Sequence, residues 1–436
     1  MNQTPNKVSP AVGKKHQISR DAYPKDLPVE VIYLSSLLES EVVNEGDVEI
    51  GVIVDVIVRL RAKDYPVVTG IVINVDKDEI FVPIADIKSL SENKITLQNE
   101  PLAKYPFHPR EGEVLLNADI LGHRLIHIAR ASLVRAYDVG LIRQAKSWIA
   151  VGLVTRRQYW FNFAGILPKP TFSDWTNYEA LIGHKHSGKI RSKFGRLRSL
   201  KPAQIADLIE EASEEEQGDL LEHLQNQPEL EADVFEELDD EEQSRLLKSR
   251  SPSRIAKMLS HMNTDDAVDA FVDLPQSLRQ EVLDFVDKPK AMEILRLMRY
   301  SADTAGGLMG TDYFAVDEDL KVKEVLEVLR HSKFDQPEVL TTIYTLDAEK
   351  RLTGSISLVS ALQSDPRAVI GDIAEHKPAK ASPSDDIVDI VNQMADYNLL
   401  NLPVVGEDGR ILGSITVDDA LEVTIPKHWR ESRRYE

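Results

Sequence analysis

The chain has 436 residues, of which 42% are hydrophobic, with a formal net charge of -20 and no cysteine. That length suits about three domains with substantial cores, and the missing cysteine excludes disulfides, thiolate zinc sites and thiol catalysis. The acidity disfavours nucleic acid and favours cations.

Residues 1–26 are polar, lack the apolar centre of a signal peptide and read as a disordered segment. No stretch approaches the ~20 apolar residues of a membrane span; the best candidate, 51–58, is short, β-branched and interrupted by Asp55. The expectation is a soluble, cytoplasmic protein. From 27 to 190 the pattern is β-like, with branched runs at 49–58, 67–73 and 79–83 separated by Asp, Lys and Gly turns. The stretch from Leu37 to Asp55-Val56 aligns with Ile120 to Asp138-Val139 at a constant offset of 83. Two related antiparallel barrels are therefore predicted, 27–110 and 111–190. Trp148, Trp160, Phe161, Phe163 and Trp175 read as core of the second. His184 and His186, in a polar linker, lack companion metal ligands.

A basic joint, 191–198, leads into a twelve-residue beat of apolar doublets: 208–209, 220–221, 246–247, 258–259, 270–271, 282–283 and 294–295, with Val234-Phe235 two residues late. Twelve residues make about three helical turns and a corner, so 191–304 reads as short helices stacked into a superhelix. Ser213 with Glu216 forms a capping box and Asp240 with Gln243 resembles one; Ser251-Pro252 and Thr264-Asp265-Asp266 mark two further starts. Leu221, Leu247, Leu259, Phe271 and Leu283 are the expected inner residues, with 214–216 and 241–242 outside. Residues 200–300 hold 11 basic and 25 acidic side chains, most of them solvating outer faces.

Glycine returns after Gly306-Gly307, and strands alternate with helices over 305–425. Residues 347–357 match 406–416 at an offset of 59: turn, strand, glycine, strand, then helix. Helices are expected at 322–329 and 387–397. Two such copies pack as a pseudo-symmetric α/β pair with a ligand cleft between them. A basic tail, 426–436, closes the chain.

Asn401-Leu402-Pro403-Val404-Val405, then Gly413-Ser414-Ile415-Thr416 and Asp418-Asp419-Ala420-Leu421, resembles the second half of a CBS-domain pair. The helical array entering Arg299-Tyr300-Ser301-Ala302-Asp303 and Gly306-Gly307-Leu308-Met309 is similar to the cytosolic N domain and CBS junction of MgtE-type magnesium transporters. Residues 37–56 and 82–87 resemble PRC-barrel modules. The transporter's membrane domain has no counterpart. The fold class expected is thus multidomain α+β: PRC-like barrels, a helical solenoid and a CBS pair.

That resemblance implies a magnesium sensor in which Mg2+, a hard cation held by a few carboxylates and retained waters, lies between acidic helices and the CBS pair. Asp419 and Glu422 match metal-facing positions, with Asp418 adjacent; Asp265 and Asp269, on one helix with Asp266 and Asp273, are the opposing candidates. Asn398 and Val388 stand where the pattern has acids. CBS clefts also take adenine nucleotides such as ATP, which points to Pro403, Val404, Thr416 and Asp419; the first-half counterpart of Asp419 is Ser360. The resemblance further implies a homodimer through the CBS domains and regulation of a separate transporter or other protein. No nucleophile–base set or Walker loop is present, so a regulatory protein and not an enzyme is expected. The competing reading is a structural adaptor without metal.

Overall fold

The computed structural model describes residues 31–61, 64–92, 94–98, 110, 112–144, 147–156, 171–180, 197–332 and 337–425. Trp160, Phe161, Phe163, the 184–186 histidines, most of the basic joint and both termini lie outside them. The chain packs as two units, Met1–His223 and Leu224–Glu436.

In the first unit β1 (Ile32–Tyr33) leads into a helical turn, α1 (Leu34–Leu37), followed by β2 (Glu41–Val43), β3 (Glu49–Arg59), β4 (Val67–Val75), β5 (Asp78–Pro83), β6 (Ile87–Ser91) and β7 (Lys94–Leu97). A second series follows: β8 (Glu113–Leu115), a helical turn at Leu116–Ile120, β9 (Arg124–His127), β10 (Ser132–Gln144), β11 (Ser147–Arg156), β12 (Thr171–Asp174) and β13 (Tyr178–Ala180). The two barrels expected do not appear as separate bodies. All thirteen strands join one sheet, ordered β13-β9-β10-β11-β4-β3-β2-β7-β6, and the described residues form no closed ring. The series share one contiguous core, including Ile53, Ile71, Leu97, Leu116 and Ile120. Separate barrels would have exposed that apolar surface. Of the described aromatics, Trp175 is in this core and Trp148 packs against it.

α2 (Pro202–Glu211) and most of α3 (Glu214–Leu224) belong with this sheet. Arg124 explains the attachment. Its Nε donates to Glu216 Oε1 at 2.9 Å, its Nη1 to the Glu211 carbonyl at 3.1 Å, and its Nη2 to Glu216 Oε2. Glu216 therefore serves both the Ser213 capping box, accepting from Ser213 N at 2.8 Å, and the sheet.

The second unit continues with α4 (Pro228–Glu236), α5 (Asp240–Lys248), α6 (Pro252–Leu259), α7 (Thr264–Val272), α8 (Gln276–Leu283) and α9 (Lys288–Leu297). From α2 to α9 there is one helix per apolar doublet. Alternate helices touch, α4 with α6, α6 with α8 and α7 with α9. Leu247, Leu259 and Phe271 are buried. Leu221 and Leu283 are only half-buried, because their partners Leu220 and Val282 take the inner place; consecutive helical residues point about 100° apart, so a doublet seldom buries both members equally. Two caps shift by one residue: Asp239, not Asp240, accepts from Glu242 N at 2.9 Å, and Asn263 rather than Thr264 precedes α7.

After α10 (Ala305–Leu308) come β14 (Ala315–Asp317), α11 (Val322–His331), β15 (Thr342–Leu346), β16 (Leu352–Ser357), α12 (Leu358–Gln363), α13 (Ile370–Ile373), α14 (Ile387–Tyr397), β17 (Asn401–Val405), β18 (Ile411–Thr416) and α15 (Val417–Thr424). β14 pairs parallel with β15, and β15 antiparallel with β16; β17 and β18 form the corresponding antiparallel ladder. Gly413 is required: Gly310 and Ser414 exchange backbone hydrogen bonds of 3.0 Å, and a β-carbon at 413 would meet the Gly310 carbonyl at 2.2 Å.

Leu259→Ala and Phe271→Ala should each cost about 2–5 kcal/mol by urea unfolding, and Leu221→Ala clearly less, because a half-buried residue leaves a smaller cavity.

Candidate functional site

α7 begins where the chain leaves Asn263, whose amide donates to Glu236 Oε1 at 2.6 Å. Its first turn carries Asp265, buried, and Asp266, half-buried; Asp269 lies one turn on at the exposed rim. α15 brings Asp419 and Glu422 up to these acids. Burial pushes the Asp265 carboxyl well above the ordinary range, and the neighbouring charge of Asp419 adds to it. Asp266 is raised by burial, then by Asp265, Glu236, Asp419 and Glu422. Burial also takes Asp419 to about 6, with Asp418 and Glu422 adding and hydrogen bonds from Thr416 opposing. Asp269, its side chain at the rim but its carboxyl partly screened from water, is raised to about 6 by that partial burial and by Asp273, Asp240 and Glu422.

Glu236, the last residue of α4, completes this acidic seam. Burial lifts it to about 7, against the Asn263 amide and the charge of Lys290. The sequence offered only an oblique signal for it, the one doublet out of step, which marks its helix. The cation nearby is spoken for: Lys290 Nζ donates to the Met262 carbonyl at 2.7 Å and to Thr264 Oγ1 at 3.2 Å. Two contacts hold α7 and α9 against the C-terminal strand-and-helix region, Thr264 Oγ1 with Thr311 Oγ1 at 2.9 Å and Arg296 Nη2 to the Leu412 carbonyl at 2.8 Å.

The fit to a divalent cation rests on Asp265. Its Oδ1 is buried without a hydrogen-bond partner, a costly state for a carboxylate oxygen. Among the described residues no three His, Cys, Asp or Glu side chains converge tightly enough to ligate an ion directly. A cation bound through retained waters suits such spacing. Asp418 is exposed beside Asp419, and Asp273 follows α7 as its C-cap.

The nucleotide candidates divide. Thr416 is buried, and both its amide (3.0 Å) and its Oγ1 (2.5 Å) donate to Asp419 Oδ2. This pair caps α15 and turns toward the seam. Val404 is buried in β17, and Pro403 lines a cleft. That cleft, about 670 Å³, lies beside the first-half counterpart, Ser357 and Ser360, and is lined also by Thr341, Tyr344, Lys377 and Asn401. Ser357 Oγ caps α12, accepting from Ser360 N at 3.0 Å. Tyr344 Oη and Asn401 Oδ1 are buried without partners. The motif Thr-x-x-Asp serves here as a helix cap, a role that draws on the same residue types as a phosphate cradle.

With this geometry in place, residues 200–303 match the family of the MgtE intracellular N domain and residues 370–425 the CBS domain. The chain thus carries a stretch similar to the MgtE N domain followed by one similar to a CBS domain. Its sequence is 37% identical to a magnesium transporter MgtE of Thermus thermophilus over 164 residues, 36% of this chain and 36% of that protein. To the Bacillus subtilis magnesium transporter MgtE it is 24% identical over 238 residues, 55% of this chain and 52% of the relative. The chain therefore spans between about a third and a half of these relatives. Among solved structures, the cytosolic domain of the Mg2+ channel MgtE in complex with ATP is 34% identical (TM-score 0.48), with 52% of this chain and 92% of that one covered. The soluble part of a magnesium transporter is 28% identical at the same TM-score, covering 52% and 89%. Among the described residues no helix is long and apolar enough to cross a membrane.

The raised carboxyls set a pH dependence. Their folded pKa values exceed the unfolded ones, so the folded state holds protons that the unfolded state releases, and stability falls as pH rises. Without divalent cations, melting temperature should decline between about pH 4 and pH 7, the interval from the ordinary carboxyl value to those of Asp419, Asp269 and Glu236. Asp265→Asn should flatten that decline in a thermal-melt series.

Proposed function

We propose that this chain is a regulatory module in which Mg2+ neutralises the acidic seam between α7 and α15, favouring apposition of the helical array and the CBS pair. The observation that carries the reading is the buried, partnerless Oδ1 of Asp265 beside the charge of Asp419. Without a cation, ionised carboxylates in a desolvated seam repel; Asp265, Asp266, Asp269, Asp419 and Glu422 would hold the ion through its waters. What the module controls is a transport protein, its own membrane part or a separate one, in keeping with the magnesium transporters it resembles. No step of covalent chemistry is assigned to it.

An adenine nucleotide such as ATP is the proposed second ligand, in the first-half cleft. Tyr344 Oη and Asn401 Oδ1 are free to meet a base, and Lys377 a phosphate. The acid that would accept from a ribose is replaced there by Ser360, so binding should be weaker than in a cleft that has it. A homodimer fits the apolar surface between α14 and α15, lined by Val391, Leu400 and Leu421, on the helix face that also carries Val388; Val388, Leu400 and Leu421 are all more than half exposed. Val388 is then apolar because it serves this face. Asn398 ends α14 at φ 52°, in the left-handed region that asparagine tolerates better than most residues.

Millimolar MgCl2 should raise the melting temperature at pH 8, as any ligand selective for the folded state must, whereas NaCl of matched ionic strength gives only partial stabilisation by screening. Asp419→Asn with Glu422→Gln should abolish the Mg2+ increment while raising the metal-free melting temperature. An unchanged melt in EDTA and in Mg2+ would overturn the reading and leave a metal-free adaptor. For the cleft, ATP should stabilise the wild type and not Lys377→Ala.

A further inference from the structure

The two strand series of the N-terminal unit do more than repeat each other. Asp55, in β3 of the first, is buried and accepts from the amides of Asn117 (2.8 Å) and Ala118 (2.9 Å), which open the helical turn of the second. Asp138, the equivalent of Asp55 at the offset of 83, is likewise buried. It accepts from Ser35 N at 3.1 Å and Ser35 Oγ at 2.5 Å, in the helical turn of the first. Ser35 and Ala118 are themselves 83 residues apart. Each aspartate also accepts from the next amide in its own strand, Val56 at 2.7 Å and Val139 at 2.8 Å. The caps are therefore reciprocal: each repeat supplies the carboxylate that its counterpart's turn requires.

The strands are exchanged in the same sense. β1, which precedes the first turn, pairs with β10 of the second repeat, Ile32 opposite Leu141. β8, which precedes the second turn, pairs with β3 of the first, Ile57 opposite Leu115. By contrast, β2 pairs with its own β3, and β9 with its own β10. The repeats meet where β4 and β11 touch, Val67 opposite Ile149. The glycine contacts repeat as well: β-carbons at Gly70 and Gly152 would collide with Phe81 and Phe172, at 2.4 and 2.5 Å.

We infer that each repeat is the binding partner of the other, and that the N-terminal unit is a covalently joined version of a strand-exchanged pair, completed only when two repeats of this pattern meet. A repeat alone would keep a buried, uncapped aspartate, turn amides without an acceptor, and the open edge of a long strand. Each of these is a cost that pairing removes.

The test uses the full chain with a protease site inserted within 99–109. After cutting, the two pieces should co-elute as the uncut protein does and melt in one transition. Asp55→Asn, which keeps shape, should speed hydrogen exchange at Asn117 and Ala118, in the opposite repeat. Asp138→Asn should do the same at Ser35, and Ser35→Ala provides a milder variant should Asp138→Asn fail to fold. Separation of the cut pieces in native buffer, or faster exchange confined to the repeat that carries the substitution, would overturn the inference.

Discussion

A buried carboxylate oxygen with no donor is among the least favourable groups a fold can carry, and Asp265 places one where the helical array meets the CBS pair. The surroundings do not relieve it. Lys290, the nearby cation, spends its protons on the Met262 carbonyl and Thr264, and the other neighbours are acids. Thr264–Thr311 and Arg296–Leu412 keep the two sides together despite the repulsion. The seam is therefore held by contacts that use none of its carboxylates and opposed by their charge, which makes its stability responsive to anything that neutralises carboxylates.

The parts of the fold that read directly from the sequence are those governed by one periodicity. Apolar doublets at twelve-residue spacing marked every helix from α2 to α9 except α4, whose doublet comes two residues late, because each helix must bury one apolar stripe. The match at offset 59 marked the CBS halves for the same reason. Strand pairing was not legible. The branched runs fixed the strands, while the partner of each strand depended on contacts between residues as distant as Asp55 and Ala118, for which local pattern has no signature.

The acids that the fold brings together were visible in the sequence, while their arrangement was not. Asp265, Asp269, Asp419 and Glu422 were all visible as acids at first turns or on shared helix faces, yet a first-turn acid serves the helix dipole equally well. Only the approach of α15 to α7 distinguishes the two roles. Glu236 had no motif at all. Thr416 and Asp419 satisfy a nucleotide pattern and a helix-cap pattern alike, and the fold shows them hydrogen-bonded to each other.

The CBS halves are pseudo-symmetric, and the symmetry is broken where their neighbours differ. Thr416–Asp419 and Ser357–Ser360 occupy equivalent caps, each closing the helix that follows the last strand of its half. In the half that faces α7 the cap is an acid and joins the seam. In the half that opens on the cleft it is serine, so Lys377 shares that space with one carboxylate, Glu375, instead of two. An acid at 360 would repel a phosphate; a serine can donate to it. The same position in the fold thus presents a carboxylate to the acidic seam in one half and a hydroxyl beside the cleft in the other.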